Sequence, residues 1–146
     1  PPRPVPVARM TEREYLQRVL LACKGSYSVF GEVLDKCPFF WHAPTFGTEE
    51  ARALVAQSVD ASVAAAAALL MGRLSLLADG KFESEHIHAA LQHVARDMQL
   101  KPTAVLKGVR TLITGQQQGP SLAGIMAALG RPEVLRRLAT GLTTVQ

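Results

Sequence analysis

An all-α fold, six to seven helices packed as a bundle or cage in two helical subdomains, is what this sequence predicts, on three observations. Alanine and leucine dominate an apolar fraction of 48%, while aromatic residues supply only 5%, a bias that favours helix over sheet. Helix-start signals recur along the chain, either a capping pattern or a proline suited to a first turn. The joints between them are short and punctuated by glycine or glycine–proline. At 146 residues the chain has the length of one domain and can bury a core without cross-links.

Residues 1–10 form an extended proline-rich lead with little reason to fold alone. Thr11-Glu-Arg-Glu14 is a capping box, so a first helix runs to about Leu21 or Ala22 with Leu16, Val19 and Leu20 on its apolar face. Lys24-Gly25 breaks it, and a short helix follows from about Ser28 to Lys36. Pro38-Phe-Phe-Trp-His-Ala-Pro44 is an aromatic connector. Thr48-Glu-Glu50 opens the next helix, its acidic side chains placed at the positive end of the dipole. That helix is expected to span Asp60 and the alanine run 64–68 and to end between Met71 and Leu77, with a break near Gly72 as an option. The small alanine side chains read as a close-packing surface. Asp79-Gly80 is a turn, and Ser84-Glu85 begins a helix reaching Asp97 or Met98. The best internal division falls near 45–48, separating a small subdomain (11–46) from a larger one (47–146).

The composition excludes several classes. Asp60 and Arg73 bracket the longest apolar run, which is too short to cross a membrane. Cys23 and Cys37 are too few for a disulfide scaffold and lack metal-site company, so reduced, partly buried thiols are expected. His86 and His88 point in different directions on a helix, His86 and His93 lie two turns apart, and His42 sits in the aromatic connector. None has zinc-type spacing. Glu12/Glu14 and Glu49/Glu50 belong to helix starts. Neither a nucleophile-elbow spacing nor a phosphate loop occurs, so no enzyme activity and no cofactor are expected.

Charge is uneven behind the net value of +4. From Met98 onward Lys101, Lys107, Arg110, Arg131, Arg136 and Arg137 face only Glu133. A basic third attracts polyanions, chiefly nucleic acid, by counterion release, although a merely solvated helix face shows the same composition. The stretch from Lys101 to Leu122 sharpens that reading. Pro102 opens a helix, Gly115 suits its left-handed C-terminal cap, and Gln116, Gln117 and Gln118 form an amide-rich loop. Pro120 is expected to start the next helix, ending at Leu129-Gly130, and Arg131-Pro132 starts another. Exposed amides above an arginine suit single-stranded RNA, whose unstacked bases offer edges and whose phosphates attract guanidinium groups.

The ordered run Val109-Arg110-Thr-Leu-Ile-Thr-Gly, Gly119-Pro120-x-Leu122, Ala128-Leu129-Gly130 and Val134-Leu-Arg-Arg-Leu138 resembles the C-terminal anticodon-binding region of bacterial and organellar glutamyl-tRNA synthetases. Three glutamines before Gly-Pro look most like the mitochondrial members, and weaker similarity extends the likeness to roughly residues 10–141. The resemblance implies an anticodon-binding helical cage of the class I synthetase type, with the mitochondrial matrix, or else a bacterial cytoplasm, as its compartment. It implies an anticodon contact for Arg110 and a base pocket at Gly119, Pro120 and Leu122, bordered by the three glutamines. Lys107, Arg136 and Arg137 would add electrostatic support. A discriminating arginine of the family corresponds here to the Lys24-Gly25 position, with Gly25 in its place, which implies relaxed reading of the last anticodon base.

Neither ATP-site motif of the family's catalytic half occurs, and there is no room for that fold beside the anticodon-binding part. The absence of an initiator methionine suggests a processed or trimmed chain. Three readings stay open. The chain is the tRNA-binding part of a synthetase, a free-standing structural protein of a mitochondrial ribonucleoprotein that touches rRNA or neighbouring proteins, or a protein-only scaffold subunit.

Overall fold

The computed structural model describes residues 11–24 and 30–145, Phe30 in its backbone only. Among these residues it shows eight α-helices, one 3-10 turn and no strand. Thr11 caps α1 (Glu12–Ala22) as its capping box requires, its hydroxyl accepting from the Glu14 amide at 3.1 Å. The short second helix, α2, covers Phe30–Lys36, and the expected start at Ser28 lies outside the described residues. A 3-10 turn at Pro38–Phe40 carries the aromatic connector into the core.

The long helix expected through Asp60 is instead two helices, α3 (Glu49–Ser58) and α4 (Ala61–Leu76), which meet at 86°. Val59 leaves helical space (φ −128°, ψ 89°), and the Asp60 carboxylate accepts from the Val63 amide at 2.8 Å. An aspartate inside a helix competes with the backbone, whereas at an N-terminus it satisfies orphan amides and faces the positive dipole end. Asp60 is therefore a cap, and this break is why the described residues hold eight helices where six or seven were expected. No break occurs at Gly72, since α4 is continuous through it.

The remaining helices are α5 (Ser84–Asp97), α6 (Pro102–Thr114), α7 (Leu122–Leu129) and α8 (Arg131–Thr143). Pro120 does not open α7. It precedes Ser121, whose hydroxyl caps the helix by accepting from the Gly124 amide at 3.4 Å. Both single-helix spans and their bent pairs bear on membrane insertion: no single described helix is long and apolar enough to cross a bilayer, and the bent α3–α4 pair meets that test only jointly.

Helix α6 is the hub, touching α3, α4, α5, α7 and α8. Its buried side, Val105, Val109, Leu112 and Ile113, is an apolar stripe at helical spacing. Two close approaches fix its depth. A Cβ on Gly108 would stand 2.3 Å from Val63 Cγ1 and 2.9 Å from the Ser58 carbonyl oxygen, and one on Gly141 of α8 would stand 2.7 Å from Leu112 Cδ2. In the alanine run, Ala66 and Ala67 are fully buried while Ala65 and Ala68 face outward.

The N-terminal helices share this core. Helix α1 packs on α7, and Tyr15 meets Trp41 edge-on with ring centroids 6.2 Å apart. The Tyr15 hydroxyl donates to the Phe40 carbonyl, which satisfies its polar tip in an apolar setting. Buried residues on both sides of 45–48 form one contiguous cluster. Cys23 and Cys37 are buried thiols that form no disulfide, close enough for their sulfurs to hydrogen bond. Burial, reinforced by the neighbouring sulfur, pushes the Cys23 thiol up to about 12.

Because the Gly108 contact meets backbone as well as side chain, Gly108→Ala is expected to cost about 1–3 kcal/mol by overpacking. Urea unfolding checks this, and an unchanged midpoint would show that α6 can shift away from the α3–α4 bend.

Candidate nucleic-acid interface

The last turn of α6 must satisfy carbonyls that no helical amide reaches. Gly115 adopts the left-handed conformation (φ 73°) and returns its amide to the Thr111 carbonyl at 2.9 Å, as the sequence implied. The Thr114 hydroxyl donates to the Arg110 carbonyl at 2.8 Å and accepts from the Gln116 amide at 3.0 Å. Arg137 Nη1 donates to the Ile113 carbonyl at 3.0 Å. With its end closed in this way, the chain turns sharply into the glutamine loop.

Two further bonds hold the loop. Arg110 Nη1 donates to the Pro120 carbonyl at 2.8 Å, so the guanidinium lies beneath the loop. Gln117 Nε2 donates to the Ser58 hydroxyl at 3.1 Å, tying the loop to the α3–α4 bend. Gly119 (φ 151°) passes directly over the arginine, where an added Cβ would stand 3.5 Å from Arg110 Nη1. Gln117 and Gln118 are exposed, Gln116 and Arg110 half-buried, and Lys107 is exposed one helical turn before Arg110. Pro120 is buried and Leu122 is 3% exposed, so Leu122 forms part of the core and not an open pocket wall.

Helix α1 reaches the far end of the loop. Ala22 packs on Gly124, and exposed Lys24 shares with Ser121 and Gly124 the wall of a cavity of about 450 Å³ between α1, the start of α5 and α7. Arg18 lines the same cavity and donates to the Ala127 carbonyl. Gly25 lies outside the described residues. At the back of the domain Arg131 donates to the Ser75 and Ala78 carbonyls and stacks 5.6 Å from the Phe82 ring centroid, a structural brace.

The two arginines of α8 part company. The side chain of Arg136 is 55% exposed, whereas that of Arg137 is 1% exposed, which places Arg137 out of reach of an RNA backbone at the surface. Glu133, itself buried, accepts from Arg136 at 2.9 and 2.6 Å and from Arg137 Nε at 2.7 Å. Burial alone would push the Glu133 carboxyl up. The hydrogen bonds and charges of both arginines outweigh it and hold the carboxyl below its ordinary range. The triad therefore carries one net positive charge where the sequence count suggested two cations open to solvent.

Ser58 and Ser121 are the loop-supporting residues that the sequence reading missed. Ser121 was detectable as a hydroxyl just ahead of an apolar run. Ser58 carries no local signal, because its role depends on a bend that brings it to a residue 59 positions away.

A family model described as "Anticodon binding domain" matches residues 3–142. A glutamate–tRNA ligase of Roseiflexus castenholzii is 28% identical over 134 residues, 92% of this chain and 26% of that protein. One from Heliobacterium modesticaldum is 29% identical over 119 residues, 80% of this chain and 23% of that protein. The crystal structure of a glutamate tRNA ligase from Elizabethkingia meningosepticum superposes with a TM-score of 0.79 at 21% identity, covering 94% of this chain and 26% of that one. The chain thus spans about a quarter of the length of these relatives.

Glu133 has a lowered carboxyl pKa, so its contribution to stability is complete above the ordinary value of 4.5 and fades as pH falls through the folded value. Glu133→Gln should flatten that acid limb in urea titrations. It should also cost about 3–5 kcal/mol at neutral pH, because Arg137 stays buried without its counter-charge. In a double-mutant cycle, Ser58→Ala and Gln117→Ala should couple by about 0.5–1.5 kcal/mol. Strict additivity would mean that the loop is not held from the bend.

Proposed function

Because the chain belongs to the anticodon-binding domain family, we propose that it binds the anticodon arm of a tRNA, a glutamate acceptor by analogy with its relatives, through the α6–α7 loop. The observation that carries this reading is the Arg110–Pro120 hydrogen bond, which seats a guanidinium directly under exposed glutamine amides. Anticodon bases are unstacked and present both edges and faces, and a fixed loop with amide donors and acceptors can read them without ordering itself at the moment of binding.

Arg110 has two duties in this proposal: it holds the loop in shape and supplies positive charge beneath it. Gln116 and Gln118 meet base edges, with Gln117 held back as the tether. Lys107 and Arg136 are exposed cations for phosphates, and Lys24 adds a third at the end of α1. Leu122 supports the loop from the core. The Gly25 position, with no side chain to discriminate, supports relaxed reading of the last base. The glutamine-rich form of the loop supports the mitochondrial matrix as the compartment. Charging the tRNA is outside this proposal, since the chain spans only about a quarter of the ligases it matches.

A filter-binding titration with a glutamate tRNA tests it. Arg110→Ala should lose about 1–3 kcal/mol of affinity, the size of a specific arginine contact by analogy with base readout. Lys107→Ala should weaken binding to every RNA alike and lower the salt slope by about one. Parental affinity in Arg110→Ala at moderate salt would remove this loop from the interface.

A further inference from the structure

Helix α4 turns only one side inward. Val63, Ala66, Ala67, Leu70 and Leu74 are buried, and the opposite side carries Ala65, Leu69, Gly72 and Leu76 at intervals of four, three and four residues. That spacing keeps the four on one stripe of the helix surface. All four are exposed, Leu69 by 37% and Leu76 by 85%. No charge lies on the stripe: Arg73, the only charged residue from 61 to 78, turns to the α5 side and pairs with Asp97. Gly72 is a second sign. A glycine inside an exposed stretch of helix costs about 1 kcal/mol relative to alanine. A Cβ there would meet nothing within 4 Å, so no contact within the described residues calls for it. A missing side chain at that position serves something that approaches α4 from outside.

The stripe reads small, large, small, large, and this order is its own complement. Two copies of α4 laid antiparallel about a two-fold axis, in the register that sets Leu76 opposite Ala65, also set Leu69 opposite Gly72. Every leucine then meets a small residue, and every contact occurs twice. The same register carries the exposed Asp60 at the start of one helix toward the exposed Lys81 beyond the end of the other, opposite charges at both ends. We propose that the outer face of α4 is a self-association surface whose partner is a second copy of this chain, packed helix against helix in that register. The stripe from Ala65 to Leu76 is only about 17 Å long. It buries on the order of 200 Å² in each copy, about a quarter of a standard interface, so the dimer is weak and reversible. It forms without RNA, on a helix that carries none of the residues assigned to RNA contact.

Sedimentation equilibrium of the 146-residue chain tests this from about 10 μM to about 1 mM, a range that brackets contacts of such size. Monomer should pass into dimer across it. Leu76→Glu, at an exposed position, should raise the dissociation constant at least about tenfold by burying an unpaired charge. Ala65→Leu adds apolar surface yet should weaken the dimer by a similar factor, because two leucines then collide in the register. Adding Leu76→Ala to it again sets a small residue opposite each leucine and should recover the parental constant. All three changes lie on the outer face, and an unaltered urea midpoint shows that the fold is intact. A chain that stays monomeric throughout would overturn the proposal and assign the face to a different partner. Association that Ala65→Leu strengthens, or no recovery in the Ala65→Leu/Leu76→Ala variant, would overturn it as unspecific adhesion.

Discussion

The buried Arg137 guanidinium joins two things that would otherwise be independent, the packing of α8 and the end of α6. Its Nη1 takes up the Ile113 carbonyl, which lies in the part of a helix where the backbone ladder runs out of donors. Its charge is tolerable there only because Glu133 lies one turn back on α8, itself buried and held ionised. Burial lowers the affinity of Arg137 for its proton, against the pull of Glu133, yet a guanidinium stays charged at any pH the fold survives. Removing either partner would therefore strand the other, and the strain would be felt first at the turn into the glutamine loop.

That loop is shaped from three directions. Thr114 closes it from α6, Arg110 holds the Pro120 carbonyl from below, and Ser58 holds Gln117 from the α3–α4 bend. All three anchors sit on or beside helices that pack tightly, with Gly108 letting α6 settle against the bend itself. The result is a short polar segment whose backbone is determined by the core, the condition under which a binding surface loses little entropy when it meets its partner. The positive charge of the C-terminal third is distributed accordingly: Arg131 braces α4, Arg137 is internal, and Lys101, Lys107 and Arg136 remain outward.

Much of this was legible in the sequence where the physics is local. Thr11, Thr48, Pro102, Gly115 and Gly130 mark helix ends because capping depends on residues within a turn of each other. Asp60 was misread because the alanines after it favour helix so strongly that a continuous helix looked natural. The cap prevails because the carboxylate gains an amide there and because the bend lets both segments bury an apolar face. Pro120 was misplaced by two residues for a similar reason, with Ser121 the better cap. The burial of Arg137 was not legible at all: Glu133 and Arg137, four apart, read equally well as an exposed pair. Only the arrival of the α6 terminus turns that pair inward, and this is a long-range event. The division of exposed from core residues around the loop, Leu122 above all, depends on the same tertiary information.

The paired thiols at the ends of α1 and α2 bring an experimental consequence. Cys23 and Cys37 are both sealed from water, and burial beside the second sulfur keeps the Cys23 thiol protonated, so an electrophile in solution lacks access to either while the helices are closed. Modification therefore waits on a breathing motion of this corner, which makes the native cysteines a built-in reporter of how often α1 lifts from α7 and exposes the underside of the loop region.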